Sequence, residues 1–117
     1  MKVATIDIGT NSVLLLIAEK KAEGLSPLLE RATITRLGEG VDKTRELAES
    51  AKQRTLDCLA DYARDIERHA PTRVAVVGTS AMRDARGGPE FAREAERVLA
   101  PAGCYRVTLE IAVMQFF

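Results

Sequence analysis

Asp7, Gly9, Thr10, Asn11 and Ser12 stand together in the run Thr-Ile-Asp-Ile-Gly-Thr-Asn-Ser, residues 5–12. A carboxylate, a glycine and three small polar side chains are suited to holding a phosphate. Backbone N–H groups and hydroxyls donate to its oxygens, and the carboxylate orients a metal ion or a water beside it. Val3, Ile6 and Ile8 precede the polar residues, and a second apolar run, residues 13–18, begins directly after them. Asp7 is therefore expected at the end of a strand, with the turn after it. The same residues would also make an ordinary polar hairpin turn, and a short glycine motif does not separate the two readings.

The elements that must position this turn follow from the apolar pattern. Lys2 to Ile8 reads as a first strand and residues 12–19 as a second, so continuously apolar that burial on both faces is expected. Residues 20–24 form a charged hairpin loop ending in glycine. Residues 27–37 read as a third strand. Arg31, Thr33 and Thr35 alternate there with Ala32, Ile34 and Arg36, so one face is expected to be wet. Gly38-Glu39-Gly40 opens a loop running to about Arg45. A helix follows with Ala51, Leu56, Leu59, Ala63 and Ile66 on one stripe, ending near Ala70 because Pro71 disfavours helical geometry before it. His69, the single histidine, falls in its last turn, where it meets the negative end of the helix dipole. Residues 74–77 read as a short buried parallel strand. A second helix opens at Pro89 and Glu90, buries Phe91, Ala95, Val98 and Leu99, and stops at Pro101 and Gly103. Residues 104–117 alternate as a last, long strand.

The order β-β-β-α-β-α-β predicts an α/β domain: a mixed five-stranded sheet in the order 3-2-1-4-5 with two main helices, strands 1, 4 and 5 being parallel. Ligands of open α/β sheets bind beyond the carboxyl ends of the strands. Asp7 and residues 79–83 both lie at such ends, and neighbouring strands 1 and 4 would bring them together.

The 117 residues suggest one domain, spanning residues 1–117, and 46% hydrophobic with 29% charged residues is enough for a core. Lysine plus arginine and aspartate plus glutamate are 17 each, so the zero net charge argues against a nucleic-acid partner. Cys58 and Cys104 lack metal-ligand spacing and read as buried thiols of a cytoplasmic protein. No signal peptide is evident and no apolar run is long enough to span a bilayer, so no membrane partner is expected.

Three stretches in this order resemble the exopolyphosphatase/guanosine pentaphosphatase (Ppx/GppA) family of the actin-like ATPase superfamily, whose lobes have a ribonuclease-H-like fold. They are Asp-Ile-Gly-Thr-Asn-Ser (7–12), Ile-Thr-Arg-Leu-Gly-Glu-Gly-Val-Asp (34–42) and Thr-Ser-Ala-Met-Arg-Asp-Ala (79–85). The resemblance implies removal of the terminal phosphate of polyphosphate or guanosine pentaphosphate by water, usually with Mg2+. Carried over by position, Asp7 would be the catalytic carboxylate, near the metal or attacking water. Gly9, Thr10, Asn11 and Ser12 would form the first phosphate loop, Thr79 and Ser80 would donate hydrogen bonds, and Arg83 would clamp phosphate oxygens with its planar fork. The alternative for Arg83 is a surface pair with Asp84. Arg36 and Arg86 read as solvated.

The same resemblance implies a catalytic glutamate after the fifth strand and a second glycine-rich phosphate loop. Here Met114 stands near the glutamate's place, Glu110 falls earlier and mid-strand, and the residues beyond are apolar. The chain thus reads as the first lobe alone, nearly inactive by itself. A non-catalytic module that binds phosphate or self-associates through residues 105–117, giving a homo-oligomer, is the second reading. An ATPase lobe of the sugar-kinase type is a third, against which residues 79–85 argue.

Overall fold

The structure is a computed structural model and describes residues 1–103 and 106–109, with the side chain of Ser80 excepted. Strands β1 (Lys2–Ile8), β2 (Ser12–Lys21) and β3 (Gly24–Ile34) form an antiparallel meander. Helices α1 (Val41–Thr44) and α2 (Glu49–His69) lead to β4 (Arg73–Gly78), and α3 (Ser80–Asp84) and α4 (Gly88–Leu99) lead to β5 (Val107–Leu109). The sheet order is β3-β2-β1-β4-β5, with β4 parallel to both β1 and β5. This is the expected mixed sheet. To the two main helices it adds two short ones, α1 and α3, that the apolar periodicity did not signal.

The core lies between one face of the sheet and the two long helices. Ile6, Ile8, Val13, Leu15, Ile17 and Val76 pack against Leu59, Tyr62, Ile66, Phe91, Ala95 and Leu99, all buried. Two right-handed crossovers that advance in one direction across a sheet put both helices on the same side. The opposite face, with Thr5, Asp7, Leu14 and Ala75 exposed, carries no helix among the described residues. Burial of β2 on both faces is therefore not realised: Val13, Leu15 and Ile17 point inward, while Leu14 remains 46% exposed. The apolar run reflects two different surroundings rather than one.

Strand β3 has one wet face, as expected, but not the face with the polar side chains. Arg31, Thr33 and Thr35 face α2 and not solvent; the wet side holds Ala32 and Ile34, the latter 67% exposed. Polar partners on α2 explain the choice. Arg31 bonds Asp65 at 2.6 Å and Asp61 at 3.2 Å, with its guanidinium 5.0 Å from the Tyr62 ring centroid. Asp65, buried, is also paired with Arg68. These contacts raise the Arg31 pKa, while Arg64 first and Arg31 second hold the Asp61 carboxyl below its usual range. Pro27 lies on this edge strand beside an irregularity at Ile17/Ala18, where Leu28 has no partner in the register, a position that tolerates the missing N–H.

Tyr62 ties the helix to the strand leaving the polar turn. Its hydroxyl donates to the Val13 carbonyl at 3.0 Å and lies 2.6 Å from Thr33 Oγ1. Tyr62→Phe removes both bonds and strands a buried carbonyl. It is expected to cost about 1.5 kcal/mol by urea melting, and a loss under about 0.5 kcal/mol would deny the bond that role.

Boundaries shift for local reasons. Strand β3 starts at Gly24, because Lys20 and Lys21 continue β2 and leave a turn of two residues, and it ends at Ile34. Helix α2 ends as expected, with Ala70 left-handed and its N–H bonded to the Ile66 carbonyl. Pro101 does not stop the chain at once; it sits in a 3-10 turn, Ala100–Ala102, closed by Gly103. His69 lies in the last turn of α2, where its carbonyl accepts from Lys2 Nζ. Lys2 opens β1, so His69 is at the end of the sheet remote from Asp7. Cys58 is a free, buried cysteine whose thiol is pushed up by burial. Cys104, Glu110, Met114 and the strand expected over 104–117 fall outside the described residues, apart from residues 106–109, of which Val107–Leu109 are strand. No described helix is long and apolar enough to cross a membrane.

Candidate phosphate site at the rim of the sheet

The carboxyl ends of β1 and β4 meet side by side. Asp7 is opposite Val77 and Ile8 opposite Gly78 in the parallel register. Immediately beyond, the Thr79 N–H and the Thr79 hydroxyl both donate to the Ile8 carbonyl, each at 3.1 Å. The turn after β1 and the segment after β4 are thus pinned to one rim, as strand order alone implied. The Thr79 hydroxyl, expected to donate to phosphate, already donates to this junction and retains only acceptor capacity.

Residues 9–12 form a tight turn closed by the Gly9 N–H, which donates to the Ser12 carbonyl at 2.9 Å. A Cβ on Gly9 would sit 2.8 Å from that same oxygen, so glycine is required by close approach of backbone. Gly9 therefore contributes shape, its own donor being engaged. Asn11 and Thr10 are exposed at the tip and Ser12 is half-buried as β2 begins.

The second motif, given no role from its residues, is the clamp on this turn. The N–H groups of Thr35 and Arg36 both donate to the Asn11 carbonyl, at 3.1 and 3.0 Å, and the Gly38 N–H donates to the Thr10 carbonyl at 2.9 Å. A Cβ on Gly38 would lie 2.2 Å from Thr10 Cγ2, so any larger residue there would force the Thr10 side chain aside. Arg54 of α2 secures the clamp from below, bonding the Thr35 carbonyl at 2.9 Å and Glu39 Oε2 at 2.6 Å. The glycines at 38 and 40 had marked only a loop; the long-range bonds that make it a clamp leave no local pattern.

The third motif folds as α3, with Thr79 before its first turn. Met82 anchors it: the side chain is buried against Gly78, and Gly88 lies against the Met82 carbonyl. Ser80 is the first residue of α3. Arg83, 23% exposed, donates from Nε and one terminal nitrogen to Asp84, at 2.9 and 3.1 Å. The ion pair considered from sequence is present, and Arg83 holds the Asp84 carboxyl below its ordinary range. A fork that takes two carboxylate oxygens has the geometry to take two phosphate oxygens. Arg86 is exposed beside Glu46, as expected of a solvated residue.

Asp7 is exposed on the uncovered face, where it helps line an open cleft of about 500 Å3 with Thr5, Leu14 and Glu30. No group of three or more metal-ligating side chains occurs among the described residues. Asp7 and Glu30 both line this cleft with exposed carboxylates, a donor set that fits Mg2+, which keeps its waters and is held by one or two carboxylates plus substrate phosphates.

A model of the Ppx/GppA phosphatase family matches residues 16–113. The chain belongs to this family. It is 45% identical over 87 residues to exopolyphosphatase 2 of Mycobacterium tuberculosis, across 71% of this chain and 27% of that protein. It is 34% identical over 96 residues to the guanosine-5'-triphosphate,3'-diphosphate pyrophosphatase of Aeromonas hydrophila, across 82% of this chain and 19% of that one. The crystal structure of the Aquifex aeolicus Ppx/GppA member superposes with a TM-score of 0.88 at 36% identity, over 98% of this chain and 36% of that chain. The chain thus spans about a quarter or less of the curated relatives it matches. The family model begins at residue 16, while the likeness to the Aquifex aeolicus structure extends over 98% of this chain.

Proposed function

We propose that these 117 residues are the first lobe of a metal-assisted phosphohydrolase that removes the terminal phosphate from polyphosphate or guanosine pentaphosphate. The observation that carries this reading is the junction at Ile8, which fixes the residue 9–12 turn and the residue 79–83 segment at one sheet rim in a Ppx/GppA chain. The names of the curated relatives supply the substrate class.

In this reading the terminal phosphate rests against the turn of Gly9, Thr10, Asn11 and Ser12. Arg83 exchanges Asp84 for phosphate oxygens, and Thr79 and Ser80 border the site. Asp7 orients the attacking water. Water adds to the terminal phosphorus, the phosphoanhydride P–O bond breaks, and the shortened chain leaves with the bond's electrons as the water's proton is lost. Mg2+, held by Asp7 and the substrate, would neutralise charge on the phosphate oxygens. Positioning and charge neutralisation are the lobe's contribution; the base that takes the proton would come from a second lobe.

The lobe by itself is therefore expected to bind tripolyphosphate but to release phosphate very slowly. No described residue is placed as the base, and lacking a positioned base lowers rates by about 10²–10⁴-fold. Phosphate release from polyphosphate and guanosine pentaphosphate, with Mg-ATP as the competing nucleotide, measures this. Fast release abolished by Asp7→Ala would overturn the one-lobe reading, and tighter binding of Mg-ATP than of either phosphate chain would favour an ATPase lobe.

The uncovered sheet face favours a second reading, a module that self-associates. Leu14, Leu25, Leu28 and Ile34 are all large apolar side chains left exposed. Sedimentation at high concentration is expected to show a homodimer or larger assembly, and a clean monomer would remove this reading.

A further inference from the structure

Arg36 occupies a place that its residue type does not suit. Its φ is 51°, in the left-handed region where glycine is at ease and a Cβ is strained. Among the described residues, the other non-glycine ones in that region, Arg45 and Ala70, follow helices α1 and α2, where such geometry is a common way to end a helix. Arg36 follows a strand. Strain of this kind persists where surrounding structure enforces it, and it gathers at ligand-binding positions.

What enforces it is the clamp on the phosphate turn. The Arg36 N–H is bonded to the Asn11 carbonyl at 3.0 Å, and the Arg36 carbonyl accepts from the Glu39 N–H at 3.0 Å and from Arg54 at 3.5 Å. The side chain is exposed and lines a cleft of about 480 Å3 with Ile34, Glu39 and Arg54. Arg54 is paired with Glu39 at 2.6 Å, so the second positive charge of the cleft belongs to Arg36. Ile34 is opposite Ser12 in the β2–β3 register. The cleft therefore starts two strand spacings, about 10 Å, to the side of β1. That is room for a linear anion of several linked phosphates, anchored at the turn and running outward across β2 and β3.

We propose that Arg36 is a distal binding residue for an extended phosphoanhydride chain, contacting phosphates behind the terminal one. This rests on the phosphate reading of the turn and deepens it: it favours linear polyphosphate over the compact guanosine nucleotide as the ligand of this lobe. Arg54, which holds the backbone of the clamp, is not a clean probe. Arg36→Gly is, because glycine relieves the strain while removing the charge.

The experiment is titration of the 117-residue chain with tripolyphosphate and with a long-chain polyphosphate of defined length, at two salt concentrations, for wild type, Arg36→Gly and Arg36→Lys. Melting temperature is recorded in parallel. Arg36→Gly should melt higher than wild type, bind the long chain about five- to tenfold more weakly with a shallower salt dependence, and bind tripolyphosphate as wild type does. Arg36→Lys should recover most of the long-chain affinity. Equal loss for both ligands, or no loss for either, overturns the distal role while leaving the phosphate turn standing. Failure of wild type to bind either ligand overturns the turn's role and this inference with it.

Discussion

Gly88→Ala is expected to lower folding stability by about 3 kcal/mol, the upper end of what overpacking costs. A Cβ built at position 88 would lie 1.9 Å from the Met82 carbonyl oxygen and 2.8 Å from its carbon. Both are backbone atoms, so no side chain can swing aside; α3 or α4 must move. Neither moves cheaply. Met82 is fully buried, and α4 sets Phe91, Ala95 and Leu99 into the core. The neighbouring glycine is the control. Gly87 has φ +82° with nothing within 4 Å of its would-be Cβ, so Gly87→Ala carries only the conformational penalty, about 1 kcal/mol. Urea melts of the two variants measure the difference. Equal losses would mean that the contact between α3 and α4 yields more readily than its geometry implies. The consequence reaches the rim, because the same movement displaces the helix that carries Arg83.

Arg83→Ala is expected to weaken tripolyphosphate binding about ten- to a hundredfold, the worth of a charge-assisted fork contact. Arg83→Lys should restore only part of it, since lysine keeps the charge and loses the two-point geometry. The Asp84 ion pair sets the pH dependence. Its carboxyl is depressed by Arg83, so the pair is fully present above the ordinary aspartate range and is lost as pH falls through the depressed value. Asp84 thus competes with phosphate throughout the neutral range and withdraws only in acid. Wild-type affinity retained by Arg83→Ala would remove the arginine from the site and leave it as the surface pair with Asp84.

The architecture was readable because its signals are local. Apolar runs broken by small polar residues marked the strands, Pro71 marked the end of α2, and the crossover rule ordered β1, β4 and β5. The faces of the sheet were less legible. The uniform apolarity of β2 concealed that Leu14 faces an uncovered surface, and the polarity of Arg31 and Thr33 hid that α2 supplies their partners. The site divides in the same way. Asp7 and the glycine turn stood out by composition, and their nearness to residues 79–83 followed from strand order. The clamp by residues 35–38 and its support from Arg54 depend on bonds between residues 15 or more positions apart, which no short stretch of sequence displays. The engagement of the Gly9 N–H and the Thr79 hydroxyl within the protein was likewise invisible until the turn was folded.

Backbone amide shifts followed by nuclear magnetic resonance, as Mg2+ and tripolyphosphate are added to the isotopically labelled chain, test the shared rim most directly. The expected result is that amides of residues 10–12 and of residues 79–83 shift together, with a single apparent Kd, and that Asp7→Ala weakens the magnesium dependence of both sets. Shifts confined to one set, or clustered around His69 at the opposite end of the sheet, would contradict the claim that the two motifs hold one phosphate between them.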